Sequence, residues 1–421
     1  VTCLSNTIEC FLPKYRHDYL ILASLWLLMF SASSQLMILA PILPQVGKQL
    51  HIDAALQGTL VTAYAVMLSV FAIVMGPISD RIGRRRILMI GTGAMAVALS
   101  LHNLAFDYVS FLIVRALAGA AGGMLSGASV AFVGDYFPYE RRGWANGIVA
   151  TGISAGQILG VPFGTVLAEW YGIYGPFTLF GVTMGGAFLL VWLFVPQPDV
   201  ELHEEKLSIQ AALANYRYLL THRATAVTAT VYGLMFFSFS VYIVYLPTWL
   251  TSTFGINGHQ VASLFFVGGV ASVITGPMAG RVSDRIGRRL IILISCIGLA
   301  VVMASTTVAL AQFWIAYGLF ILMMVSVAMR LSPLQALISE IVPGRQRGSF
   351  MSLTIALGQI GMGLGGAAAG WIYTDWGYAG NTMIGAVFIL SMGVIVWKMI
   401  PEPAPRHASV VDMPRKEKIA S

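Results

Sequence analysis

Long apolar runs separated by short polar loops make up most of this chain. Runs of about twenty residues or more, enough to carry a helix through the hydrocarbon of a bilayer, fall at 19–43, 54–78, 87–106, 108–133, 144–168, 173–195, 224–250, 258–280, 290–310, 312–337, 349–373 and 378–400. Twelve such runs predict twelve membrane-spanning helices, numbered here in chain order. The one long polar stretch between runs is 196–223, with Pro196, Pro198 and an acidic-basic run at 201–206. The pattern therefore divides the chain into an N-terminal segment (1–18), a first six-helix bundle (19–195), a linker (196–223), a second six-helix bundle (224–400) and a tail (401–421). Within the linker, Leu207, Ala211, Leu213, Tyr216 and Leu220 recur at roughly helical spacing, which fits either a helix lying along the membrane surface or a solvated connection. The tail, rich in Pro, Lys, Arg and Glu, is expected to be disordered.

Composition sharpens the class. Hydrophobic residues are 57% of the chain, charged residues 10%, and the mean hydropathy is +0.79. A soluble domain carries about a quarter charged residues, so this is an all-α integral membrane protein. A net charge of +7 could point to nucleic acid, but the basic residues are scattered through short loops without an aromatic-basic patch. Membrane topology explains them: 22 of the 25 Lys and Arg residues fall on one side if both termini share it. By the positive-inside rule that side is cytoplasmic, so both termini are expected in the cytoplasm and the chain in the cell's inner membrane. Cys3, Cys10 and Cys296 have neither metal-ligand nor disulfide-framework spacing and read as free thiols. No cleavable signal precedes the first span, and Val1 leaves open an upstream start or a non-standard start codon. No nucleotide loop, metal cluster or nucleophile constellation is present. The expectation is a non-enzyme without cofactor or metal, acting as a monomer on a small molecule in the bilayer.

A repeated motif organises the two halves. Residues 76–86 read GPISDRIGRRR and residues 280–290 read GRVSDRIGRRL, each between two apolar runs. In both copies a glycine (Gly76, Gly280) stands four residues before an acid (Asp80, Asp284), and a second glycine (Gly83, Gly287) follows the acid by three. Arg81, Arg84, Arg285 and Arg288 crowd the turn. A second element repeats as well: Asp135-Tyr-Phe-Pro followed by Arg142-Gly143 returns as Glu340-Ile-Val-Pro followed by Arg347-Gly348. The offset is 204 residues for the first motif and 205 for the second. Parallel duplication of this kind predicts two halves related by an axis along the membrane normal.

The motif G-x-x-x-D-R-x-G-R-R, present after the second and again after the eighth span, resembles the signature loop of the major facilitator superfamily of transporters. That resemblance implies the superfamily's fold and transport by alternating access. It also implies that Asp80 with Arg84 and Asp135, and Asp284 with Arg288 and Glu340, form charge clusters that latch the cytoplasmic face when the transporter opens outward. The plainer alternative is that these charges anchor loops at the lipid headgroups.

Glycine spacing in the fifth span adds a direction. Gly143, Gly147, Gly152, Gly156, Gly160 and Gly164 recur every four or five residues and end in GVPFGT at 160–165. Such a stripe lets helix backbones approach, and Pro162 is expected to bend the helix. The stretch resembles the antiporter signature of the drug:proton antiporter branch, which implies proton-driven efflux; tight packing alone is the alternative. The eleventh span has glycines at 358, 361, 363, 365, 366 and 370 but no GVP, and reads as a packing helix.

Two arginines lie within spans. Arg115, followed by Gly119 and Gly122, resembles the superfamily's R-x-x-x-G motif of the fourth span, which implies a part in proton coupling or substrate handling; snorkelling to the interface is the alternative. Arg330 lies ten residues before Glu340, about 15 Å into the bilayer from the cytoplasmic end at 1.5 Å per residue. No Asp or Glu falls at midplane depth in any predicted span, unlike many proton-coupled drug exporters. A central arginine without an acid suits an anionic group, although a structural arginine facing backbone carbonyls fits as well. Gln35, Gln157, Tyr232, Tyr242, Tyr245 and Gln359 lie at similar depth and, with Arg330, are candidate contacts for an amphipathic small molecule. The expected function is a secondary active transporter moving a small organic molecule, proton-coupled efflux first, with uptake or exchange of an organic anion through Arg330 as the alternative.

Overall fold

Inside hydrocarbon every backbone N–H and C=O must find its partner within the segment, so the apolar runs fold as helices. The computed structural model describes residues 14–198, 217–341 and 347–400. Most of the linker, with the helical spacing expected from Leu207, and the tail after residue 400 lie outside the described residues. Among the described residues, eleven helices are long and apolar enough to cross a membrane. The last of these, Arg347–Met399, runs 53 residues and breaks at Gly377 (φ 65°, ψ −174°). An unbroken helix of that length would reach about 80 Å against a hydrocarbon core of about 30 Å. It is two spans, and the count is twelve.

Several spans are assembled from two helical pieces. The first is Lys14–Met37 followed by Leu39–Gln49; Pro41, lacking an N–H, cannot bond the carbonyl of Met37, where the break falls. The second starts with Ala54–Gln57, capped by the Asp53 carboxylate accepting from the Ala55 N–H at 2.8 Å, and continues as Thr59–Ile82. The third is Arg84–Leu101 and the fourth Tyr108–Tyr136, opened by a capping box between Asp107 and Ser110. Asn257 and Gln260 build the same box at the start of the eighth span, Gly258–Ile286. The sixth is Gly175–Phe194, the seventh Arg223–Ile243 with Leu246–Phe254, the ninth Arg288–Ala309 and the tenth Phe313–Ile341.

The fifth span departs from a uniform helix. Tyr139–Ala155 leads into a π-helical turn at Gly156–Gly160, and Val161–Tyr171 completes it. Immediately before Pro162 the helix widens, and Val161 donates its N–H to the Gly156 carbonyl five residues back.

Within each half, the second span packs on the fourth, the seventh on the eleventh and twelfth, and the eighth on the tenth. Between halves, the second packs on the eleventh and the fifth on the eighth. Here the glycines of the eleventh span matter. A Cβ on Gly366 would meet the carbonyl oxygen of Gly58 at 3.0 Å, and one on Gly370 would meet that of Ala55 at 2.2 Å. Large apolar side chains such as Val182, Val301 and Val308 remain exposed at the helix perimeter, where lipid takes the place of water.

Candidate functional site

The duplicated loops repeat in backbone geometry as well as in sequence. Gly83 closes the second span at φ 99°, ψ 143°, and Gly287 closes the eighth at φ 106°, ψ 133°. Each donates its N–H to the serine four residues earlier, Ser79 or Ser283. Positive φ at these two positions is what only glycine accepts without strain, and it lets the next helix start one residue later. Arg84 then reaches back across the turn: its Nε donates to Asp135 Oδ2 at 2.8 Å and its Nη1 to Ser79 Oγ at 3.0 Å. In the second half Arg288 Nη2 donates to Asp284 Oδ1 at 3.2 Å. Gly76, Asp80 and Glu340 lie outside the residues whose side chains are described. Both described ion pairs stay within their own half.

Among the described residues, the side-chain hydrogen bonds that cross the seam between the second and eleventh spans run from one end of these helices to their middle. At the ends of the second and eleventh spans remote from these loops, the Tyr245 hydroxyl donates to the Ala54 carbonyl and accepts from the Gly58 N–H at 3.0 Å. Thr62 Oγ1 donates to the Gly363 carbonyl at 2.6 Å, and Ser69 Oγ to that of Ala356 at 2.9 Å. On the other seam, Ile158 packs on Gly269, and His259 Nε2 stands 3.8 Å from Glu169 Oε2. Toward the arginine loops, a Cβ on Gly143, Gly147 or Gly276 would meet no described residue within 4 Å.

A cavity of about 230 Å³ sits between the two halves. Its wall includes Leu36, Met37 and Val61 from the first half, Gln157 and Val161 from the π turn and its exit, and Met235, Phe236, Phe239, Phe265, Phe320 and Arg330 from the second half. Of the sequence-predicted contacts, Gln157 and Arg330 line this cavity and the others do not. Gln35 is committed elsewhere: its Nε2 donates to the Tyr64 hydroxyl at 2.7 Å and its Oε1 accepts from Arg115 Nη1 at 3.2 Å. Tyr242 bonds Thr306 at 3.0 Å within the second half, and Tyr245 belongs to the seam. Tyr232 is buried beside Phe236, and Gln359 Oε1 is buried without a partner. All of these residues lie at similar depth, and depth does not fix which way a side chain points.

The two intramembrane arginines differ sharply. Arg115 is fully buried, lies over the Tyr64 ring at 4.6 Å and donates to Gln35; it does not snorkel. Arg330 is 1% exposed, and its guanidinium makes no hydrogen bond to any described residue, Nε and Nη1 being sealed from solvent as well. The stretch that resembles an antiporter signature is also built into close packing: a Cβ on Gly156 would meet the Phe30 carbonyl at 2.6 Å, and one on Gly160 would meet Ser34 Oγ at 1.9 Å. Gly164 lies against Ile38 in the same way.

Twelve helices in two halves, a duplicated Asp-Arg-Gly loop and a cavity at the seam agree with comparison to known proteins. The family profile described as Major Facilitator Superfamily matches residues 25–249 and 228–420. The chain belongs to that superfamily. It is an integral, multi-pass membrane transporter, not an enzyme. The uncharacterized MFS-type transporter YceJ of Bacillus subtilis (strain 168) is 26% identical over 377 residues, which cover 87% of this chain and 94% of the relative. The multidrug resistance protein MdtG of Proteus mirabilis (strain HI4320) is 28% identical, covering 77% of this chain and 79% of that one. The crystal structure of a D-xylose-proton symporter superposes with a TM-score of 0.75 at 17% identity, over 92% of this chain and 99% of that one. That last likeness is one of fold.

Proposed function

We propose that this superfamily member exports small amphipathic organic molecules from the cytoplasm in exchange for protons, across the inner membrane, with both termini cytoplasmic. The observation that carries the reading is the position of the fifth span's π turn. Gln157 and Val161 line the cavity while Ile158 lies on Gly269 across the seam. One element therefore touches both the substrate space and the surface on which the halves must rock, and π turns concentrate at functional sites. The resemblance of this stretch to an antiporter signature, and the multidrug resistance name of MdtG, support the direction. With the basic loops cytoplasmic, the hydrogen-bonded end of the seam is the outer one, as in the state in which an exporter loads.

Asp80, Asp135, Asp284 and Glu340 with their arginines act as the latch that closes the cytoplasmic face in the opposite state. No carboxylate lines the cavity among the described residues. We assign the coupling proton to groups away from the midplane: Glu169, whose partner His259 bridges the outer seam, or Arg115 with a water or a substrate group. Uptake or exchange of an organic anion, the second reading suggested by Arg330, shares the cavity and differs in direction. The deciding experiment is a panel of organic solutes in proteoliposomes with and without an imposed pH gradient. Movement indifferent to the gradient would remove proton coupling, and net movement toward the cytoplasm would favour the second reading.

A further inference from the structure

We propose that the cavity selects an amphipathic organic monoanion, its acidic group held by the Arg330 guanidinium and its apolar body lodged among Phe236, Phe239, Phe265 and Phe320. This rests on the cavity being the transport site and names the substrate class for it.

The polar lining consists of three side chains: Gln157, Ser272 and Arg330. Only Arg330 carries a formal charge, so the space holds one positive charge against apolar walls. A buried guanidinium has five donors, and leaving buried donors unpaired is strongly unfavourable. Arg115 shows how this chain satisfies an arginine that is purely internal: an amide oxygen accepts from it and an aromatic ring lies under it. Arg330 has neither. A carboxylate, sulfonate or similar oxyanion would offer the guanidinium a strong acceptor and neutralise its charge at once. An organic cation brought into the same space would meet a like charge with no acid to offset it. One arginine also limits the charge: a dianion would bury an uncompensated negative charge. The aromatic wall supplies the remaining recognition, since rings bury much apolar area with definite shape.

The test uses three probes of one shape: naphthalene-2-sulfonate, 2-naphthol and (2-naphthyl)trimethylammonium. Binding to the purified full-length protein is measured by titration calorimetry. The wild type should bind the sulfonate about tenfold to a hundredfold tighter than the ammonium, the range expected of a charge-assisted hydrogen bond. Arg330→Gln should bring that ratio near one, with 2-naphthol unaffected, and Arg330→Lys should keep part of it, because the charge remains and the planar fork is lost. A wild-type ratio at or below one overturns the proposal, as does a preference that survives in Arg330→Gln. If Arg330→Gln does not fold, Gln157→Glu decides the matter: a carboxylate added to the cavity must shift preference toward the cation by about tenfold, and an unchanged ratio rejects the assignment. Transport is read separately. Sulfonate binding without gradient-driven movement sinks the proton-coupled export reading alone, whereas gradient-driven movement of the ammonium without sulfonate binding sinks this inference alone.

Discussion

Tyr245→Phe isolates what holds the seam shut at the end remote from the arginine loops. The ring is fully buried and stacks on Tyr373 at 5.0 Å between centroids, and phenylalanine keeps both features. What disappears is the hydroxyl, which donates to the Ala54 carbonyl and accepts from the Gly58 N–H, both in the other half of the molecule. Each hydrogen bond is worth about 0.5–1.5 kcal/mol net, so the closed seam loses roughly 1–3 kcal/mol. When the halves part at this end, water reaches Ala54 and Gly58, and the open state loses almost nothing. The equilibrium should therefore move toward opening at this end by about five- to 150-fold. The measurement is the electron–electron distance between spin labels at Leu104 and Val308, exposed positions in opposite halves at 71% and 86%, with the native cysteines replaced. A longer-distance population should grow in the variant. Unchanged populations in a folded protein would show that the hydroxyl does not bias the seam, and the assignment of Tyr245 as a gate would be withdrawn.

Gly58→Ala should act in the same direction through sterics: the added Cβ would sit 1.9 Å from the Gly366 carbonyl oxygen, an overpacking that costs about 1–3 kcal/mol, visible as a lower melting temperature and a longer label distance. Asp135→Asn removes the 2.8 Å partner of Arg84; turnover should fall while substrate affinity holds, since the change alters the balance of conformations and not the cavity. Asp80→Asn and Asp284→Asn should behave alike, and lost binding with unchanged transport would contradict the latch. Arg115→Lys keeps the charge but cannot reproduce the guanidinium's placement on Tyr64 and Gln35, so thermal stability should drop; a wild-type melting temperature would mean that this network is not structural.

The fold was legible because the bilayer permits so few solutions. Twenty apolar residues must be a helix there, and the repeated Gly83 and Gly287 turns announced the duplication that the backbone angles reproduce. Azimuth was not legible. A soluble helix advertises its buried face by a polar stripe on the other, but these spans are apolar around their whole circumference, so Tyr242 and Gln157 looked equivalent at equal depth. Only packing separates them: Tyr242 turns to Thr306, and Gln157 turns to the cavity. The π turn was half visible. Pro162 signalled a disturbance, but its form depends on Ser34 and Phe30 of the first span, which press on Gly160 and Gly156 from more than a hundred residues away.

The repeat also identifies where the two halves stop being copies. With an offset of 204 to 205 residues, Arg115 corresponds to Leu319 or Phe320, and Arg330 to Leu125 or Ser126. Neither arginine has a counterpart, yet the consequences differ. In the first half the charge is absorbed by Gln35 and Tyr64, and its equivalent in the second half, around Phe320, forms part of the apolar cavity wall. In the second half Arg330 enters that wall, and its equivalent Leu125 is buried packing. The arginine loops, closed by Gly83 and Gly287, are duplicated. The charge at the cavity is single, because a substrate lying between two halves need not look the same to each. Placing a second arginine at Ser126 should therefore not create a second anion site. That position is not among the residues lining the cavity, so Ser126→Arg should lower stability and leave the sulfonate-to-ammonium binding ratio as it was; a raised ratio would mean that the cavity reads charge from both halves and that the asymmetry argued here is wrong.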